Sequence, residues 1–425
     1  MSHSEWRARS RTVTKAERSW ILYDCANSAQ TLIVTTAILP IFFKTVAAEG
    51  MSASDSTYYW ALGNTVASIV VAILAPVLGA LADHRGNKKR FFVAFLLAGV
   101  VATASLTVVG AGAWKLCLLL YGLSTIGFYG AIVFYDSFLV DVTEKERMDW
   151  VSSSGFAWGY IVSVVPYIGC MALIQFCEPL GLSKINATRI CFVITAVWWF
   201  VLTIPMLRNV HQRYYAEDTP NPVRESLSRL AATLRDIPRY KHLFIFLIAY
   251  FLYIDGVHTI YKMSMAFGLD VGIKASELML VLLVTQIAAF PCALIYGKLA
   301  GIFTAKRMIL VGIATYFAVV VVAFFISKSW HFWVLAMLVA TAQGGIQSLS
   351  RSIYGKLVPK QRSAQFFGFY DIFGKFAAIL GPFMVGYIGH LAGNTRVGVF
   401  SLIALFFLGG ALLLSVREEQ AVVEE

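Results

Sequence analysis

Asp255 lies in the run Phe251-Leu-Tyr253-Ile-Asp255-Gly256-Val-His258-Thr259, a carboxyl among apolar neighbours with an imidazole one helical turn on, on the same face. A carboxylate at the centre of a membrane helix costs about 3 kcal/mol unless a cavity or partner compensates it. An acid beside a titratable His is suited to taking up and releasing a proton, with Asp255 as carrier, His258 tuning it and Tyr253 beside them. The alternative is a fixed hydrogen bond from Asp255 to a neighbouring helix. Asp24 and Asn27, three residues apart with Tyr23 and Gln30 beside them, form a polar stripe on an apolar segment. Such a stripe either lines a cavity or glues helices together. Asp371 and Lys375 stand four apart and can neutralise each other, as a fixed pair or as a switch that opens when Lys375 binds a substrate carboxylate. Asp136 reads as an interfacial anchor. The stretch Gly368 to Lys375 is not a phosphate loop, because its glycines are wrongly spaced and Phe376 follows the lysine.

The elements that must position these residues are membrane helices. Of 425 residues, 58% are apolar and 14% are charged, too few charges to clothe the exterior of soluble domains. Apolar blocks of spanning length recur near 20–47, 58–82, 91–110, 114–139, 151–174 and 189–207, then near 242–267, 277–300, 308–327, 330–350, 366–390 and 396–415. The expected fold is an all-α polytopic membrane protein of about 12 spans in two pseudo-symmetric six-helix bundles. Residues 1–19 form a polar N-terminal segment without the pattern of a cleaved signal, 20–207 the first bundle, 208–241 a linker, 242–415 the second bundle and 416–425 a tail. Within the linker, Pro222 to Asp236 could form a short amphipathic helix with Val223, Leu227, Leu230 and Leu234 on one face.

The net charge of +11 is a label of topology. Arg7, Arg9, Arg11, Lys15 and Arg18, then Arg85, Lys88, Lys89 and Arg90, Lys145 and Arg147, the stretch from Arg208 to Lys241, Lys306 and Arg307, and Arg351 to Arg362 all fall on one side. By the positive-inside rule that side, with both termini, is cytoplasmic. Trp60, Trp114 and Trp330 begin spans at the opposite face, where aromatic belts belong. The distribution gives no nucleic-acid footprint. Six cysteines show neither CxxC nor zinc spacing and read as packing residues, with a Cys177–Cys191 bridge across one outer loop left open.

A faint repeat supports two related halves. Gly79-Ala-Leu81-Ala82-Asp83-His-Arg85-Gly86-Asn-Lys88-Lys89 ends the second span, and Gly297, Leu299, Ala300, Lys306 and Arg307 recur at one offset at the end of the eighth. The first copy resembles the loop signature of the major facilitator superfamily, with His84 and Asn87 at usually basic positions. The resemblance implies a gate on the cytoplasmic side, built from Gly79, Asp83, Arg85, Gly86 and Lys88. Gly79 permits close helix approach, Asp83 pairs with basic residues or a helix N-terminus, and Gly86 turns the loop. A plain topogenic loop is the competing reading. Trp20-Ile-Leu-Tyr23-Asp24-Cys-Ala-Asn27-Ser28-Ala29, the Asp255 run, Ser350-Arg351-Ser352 to Val358-Pro359, and Phe366-Phe-Gly368-Phe-Tyr370-Asp371-Ile-Phe-Gly374-Lys375 to Gly381-Pro382 together resemble the vacuolar-effluxer-like branch of that superfamily. The namesakes of that branch release amino acids from the fungal vacuole.

These readings converge on a secondary active transporter of a small solute, amino acids or small peptides first, working by alternating access and coupled to protons. Sugars or another small polar metabolite are the alternative cargo. A non-transporting sensor or scaffold is the alternative class, and it lacks the extramembrane domain such a role usually needs. An enzyme is not expected, since no HExxH or GxSxG run occurs, and no cofactor or metal is called for. The expected partners are substrate, protons and the lipid bilayer, and the expected form is a monomer in a bacterial inner membrane.

Overall fold

The computed structural model describes residues 13–416 apart from 217–224, 227, 229–231, 233–239, 271–272, 327 and 378–379. Twelve helical segments are long and apolar enough to span a bilayer. We number them α1 (Lys15–Ala47), α2 (Tyr58–Ala82), α3 (Asn87–Val108), α4 (Trp114–Val142), α5 (Lys145–Gln175), α6 (Lys184–Asn209), α7 (Lys241–Tyr261), α8 (Leu280–Phe303), α9 (Ala305–Phe324), α10 (Ser329–Leu357), α11 (Lys360–Ala392) and α12 (Arg396–Leu414). An even number of spans returns the chain to the face it started from, here called the terminal face. The proposed linker-helix residues Val223, Leu227, Leu230 and Leu234 lie outside the described residues.

Several spans outrun their apolar blocks at the terminal face. The tenth block ends at 350, yet α10 continues to Leu357 and carries Arg351, Ser352 and Lys356 into the protein. The physical reason is that these polar side chains are bonded by other helices, so hydropathy falls before the helix does. The start of α1 is fixed by a capping box, in which Thr14 accepts from the Glu17 amide and Glu17 accepts from the Thr14 amide. Glu17 also binds Arg147 in the first turn of α5 and Thr143 just before it, tying this cap to the α4–α5 junction.

Helix α1 widens toward the opposite face into π-helical stretches at Gln30–Ile38 and Phe43–Ala47, flanking Pro40. Helix α11 is described in two pieces, Ser363–Phe376, capped at Ala377, and Leu380–Ala392, which carries Pro382 near its start. Between the halves α1–α6 and α7–α12, α2 packs on α11 and α5 on α8.

Two glycines related by the internal repeat make those contacts close. A Cβ at Gly79 would lie 2.3 Å from the Ala364 carbonyl oxygen at the start of α11, and one at Gly297 would lie 2.7 Å from Ser153 Cβ near the start of α5. The six cysteines are all free. The thiol of Cys191 points to the Cys170 carbonyl at 3.6 Å rather than to Cys177, so the outer-loop bridge is not formed.

Candidate functional site

The side chains joining the two halves concentrate near the terminal face, and their centre is Arg351 of α10. Its Nη2 donates to Asp24 Oδ2 of α1 at 3.0 Å, its Nη1 to Asp136 Oδ1 of α4 at 3.0 Å, and its Nε to Ser152 Oγ of α5 at 2.9 Å. The guanidinium carbon also sits 4.6 Å from the Trp20 ring centroid and 4.5 Å from that of Phe156. Only arginine presents planar donors in several directions while stacking on aromatic faces. Trp20 is held in turn by stacking on Tyr135 at 4.5 Å and by a bond from Nε1 to the Tyr135 carbonyl.

Arg351 is 3% exposed. It is therefore no member of a topogenic loop, as the basic run to Arg362 suggests, and Asp136 is a partner of this cation rather than an interfacial anchor. The reason is the fold: on α4 alone Asp136 stands near a helix end, but α10 brings a charge to it. Gly155 of α5 completes the site by its lack of a side chain, since a Cβ there would lie 2.2 Å from Asp24 Oδ2.

Two further clusters flank this one. Asp83, at the end of α2, accepts from the amides of Ala364 and Gln365 at 2.8 and 2.9 Å, a carboxylate cap on the N-terminus of the first piece of α11. Burial lifts its pKa to about 7, against the opposing pull of Lys88 and the two amides. Lys88 is buried, donating to Asp141 at 2.7 Å and to Ser363 at 2.8 Å, while Asp141 accepts the amides of Arg213 and Tyr214. Arg85 is exposed and lies 5.5 Å from the Tyr215 ring centroid, and Gly86 adopts φ +75° in the turn. On the other side, Asp149 of α5 binds Lys356 and Ser352 of α10, and Ser153 meets Ser348 at 2.9 Å.

The remaining sequence candidates are spread over three places. Asn27 contacts Asp24 at 3.5 Å and Tyr23 packs between Phe92 and Tyr135, all buried, so this stripe belongs to the Arg351 region. Asp255 is fully buried and accepts the Gly381 amide at 2.8 Å, at the N-terminus of the second piece of α11, and the Thr259 hydroxyl. Gly381 is required there, because a Cβ would meet Thr259 Oγ1 at 2.1 Å. His258 is half-buried on the same helix, and Tyr253 bonds Ser350 through its hydroxyl at 2.6 Å. Asp371 and Lys375 form an ion pair, with the Lys375 ammonium 4.0 Å from the Tyr129 ring centroid on α4. Among the described residues no group of three or more His, Cys, Asp or Glu could hold a metal ion.

Chemically, the terminal-face clusters are a set of interlocked bonds that hold two halves together. Breaking one buried charge pair by removing a partner typically costs 3–5 kcal/mol, because a charge is left stranded. Parting the halves as a unit separates the charges together and opens them to water.

Comparison with known proteins places this geometry. The family model described as "Vacuole effluxer Atg22 like" matches residues 12–425. The MFS-type transporter YxiO of Bacillus subtilis (strain 168) is 50% identical over 409 residues, 96% of each chain. Autophagy-related protein 22 of Coccidioides immitis (strain RS) is 23% identical over 441 residues, covering 81% of this chain and 69% of that protein. Among solved structures, the major facilitator FucP in the outward conformation superposes with a TM-score of 0.71 at 12% identity, covering 95% of this chain and 98% of that one. The human organic anion transporter MFSD10 gives 0.69 at 12% identity over 95% and 99%. With twelve spans, halves joined at one face and a family match over nearly its whole length, this multi-pass membrane protein belongs to the Atg22-like vacuole effluxer family of major facilitator transporters.

Proposed function

We propose that the protein moves α-amino acids or small peptides across a bacterial inner membrane by alternating access, driven by protons, as a monomer with both termini in the cytoplasm. The observation that carries the reading is Arg351, one cation of the second half clasping two acids and a serine of the first near the terminal face. Such a clasp fits one closed state of a cycle in which the halves rock about a central site. In this reading the cluster around Gly79, Asp83, Arg85, Gly86 and Lys88 is a second part of the same gate. Asp24 and Asn27, with Tyr23, belong to the clasp. Asp255 carries the coupled proton with His258 and Tyr253 near it, and Asp371 and Lys375 belong to the substrate path. The amino-acid cargo is supported by family membership, and no catalytic reaction is part of the proposal.

The test is uptake and efflux of labelled amino acids, dipeptides and sugars in proteoliposomes with an imposed pH gradient. Amino-acid accumulation that collapses with the gradient is expected. Accumulation of sugars alone, or of nothing in a well-folded preparation, overturns the reading.

A further inference from the structure

Resting on that reading, we propose that Asp371 and Lys375 form the binding site for the charged end of an α-amino acid, with Lys375 taking the carboxylate and Asp371 the ammonium. The placement comes first. Lys375 lies near the midpoint of α11 and Tyr129 near the midpoint of α4, so this contact joins the halves at mid-depth, whereas the Arg351 clasp lies toward the terminal face. Substrate sites of transporters built from repeats lie at that depth between the halves.

The economy of the charges comes second. Arg351 spends Nε, Nη1 and Nη2 on groups of the other half, so it is committed to holding the halves together. The Asp371–Lys375 pair lies within one helix, and its described ionic bond joins nothing across the interface. Two charges are desolvated there, and a surface pair would support the helix as well at less cost. An ammonium has three donors and a carboxylate two acceptor oxygens, so each group can hold a ligand as well as its partner. Both side chains keep some exposure, 9% for Lys375 and 12% for Asp371.

The fit to ligand comes third. A zwitterion inserted between the two replaces one ion pair with two and leaves the net charge of the site at zero. The side chains touch each other, so an inserted ligand must carry its charges on neighbouring groups. An α-amino acid does so. An extended dipeptide separates its terminal charges by one further Cα–Cα step of about 3.80 Å, so this site disfavours it. The Tyr129 face lies against the ammonium of Lys375 and offers it a cation–π contact from the other half.

The experiment is equilibrium binding of labelled α-amino acids to the purified full-length protein, with competition by N-acetyl amino acids, amino-acid methyl esters and dipeptides. Wild type should bind at least one amino acid and reject all three competitor classes. In Lys375→Gln, amino-acid binding should fall about ten- to a hundredfold, with the methyl ester now competing as well as the parent compound. Asp371→Asn should do the same for the N-acetyl derivative. Asp371→Asn combined with Lys375→Met leaves no stranded charge, so it should keep the wild-type elution profile and still fail to bind. Binding by that double variant within twofold of wild type, or dipeptides competing equally with amino acids, would overturn the site alone. Absence of amino-acid binding and transport in the wild type would overturn both the site and the proposed function.

Discussion

Arg351 shows how much one side chain can hold. Arg351→Ala strands Asp24 and Asp136 in a buried layer, a loss of about 3–5 kcal/mol to the closed terminal face. A cysteine introduced at Ser348, otherwise buried there, should then react with a thiol reagent far faster than in the Arg351 background. An unchanged rate would show that the clasp does not hold the face shut. Asp255→Asn tests a different residue. It should abolish accumulation driven by a pH gradient while sparing exchange of substrate for substrate, which moves no net proton. Since Asp255 also accepts the Gly381 amide, a purely structural role predicts that driven transport and exchange fall together with thermal stability. Asp255 was legible as a costly acid in an apolar run, and Asp371–Lys375 as a helical spacing. Arg351 was not, because it adjoins a basic stretch and both of its acids lie on other helices. Gly155 carries no mark in the sequence of the carboxylate it makes room for.

Among the elements, α2 and α11 bear the clearest consequence of the repeat. Gly79→Ala places a methyl against the Ala364 carbonyl, overpacking worth about 1–3 kcal/mol against closure. It should shift the accessibility ratio toward an open terminal face, and Gly297→Ala should do the same through Ser153. If neither variant moves that ratio, close approach there is not what closes the fold. Asp83 adds a pH dependence. With its pKa held near 7 in the closed state and near the ordinary carboxyl value where it is solvated, the closed state binds the extra proton. Closure should therefore strengthen as pH falls from 8 toward 5 and weaken as pH rises through 7, with no further change above it. Asp83→Asn should flatten this profile in an accessibility titration. The spans were legible wherever apolar residues face lipid. Their ends were not, since α10 continues past its apolar block on bonds supplied by α1, α4 and α5.

At the scale of the molecule, twelve spans and the major facilitator architecture follow from apolar run length and a repeated loop, because lipid admits few other ways of satisfying a backbone. What composition could not convey was which ends of the halves touch, since that depends on a conformational state. Sidedness is testable directly. After removal of the native cysteines, a cysteine at exposed Lys184 should react with an impermeant thiol reagent in intact cells, and one at exposed Arg307 should not. Reaction at Arg307 from outside would reverse the proposed orientation.

The clasp also sets a problem of timing during synthesis. Asp24 and Asp136 enter the bilayer with the first six spans, and the arginine that neutralises them follows 215 residues after Asp136. At roughly 5–20 residues per second, Asp136 waits on the order of 10–40 s for its cation and Asp24, 327 residues ahead of it, on the order of 15–65 s. Over that interval the nascent first half must keep them hydrated or shielded by the insertion machinery, so the ion cluster that joins the two halves cannot form until the tenth span has been made.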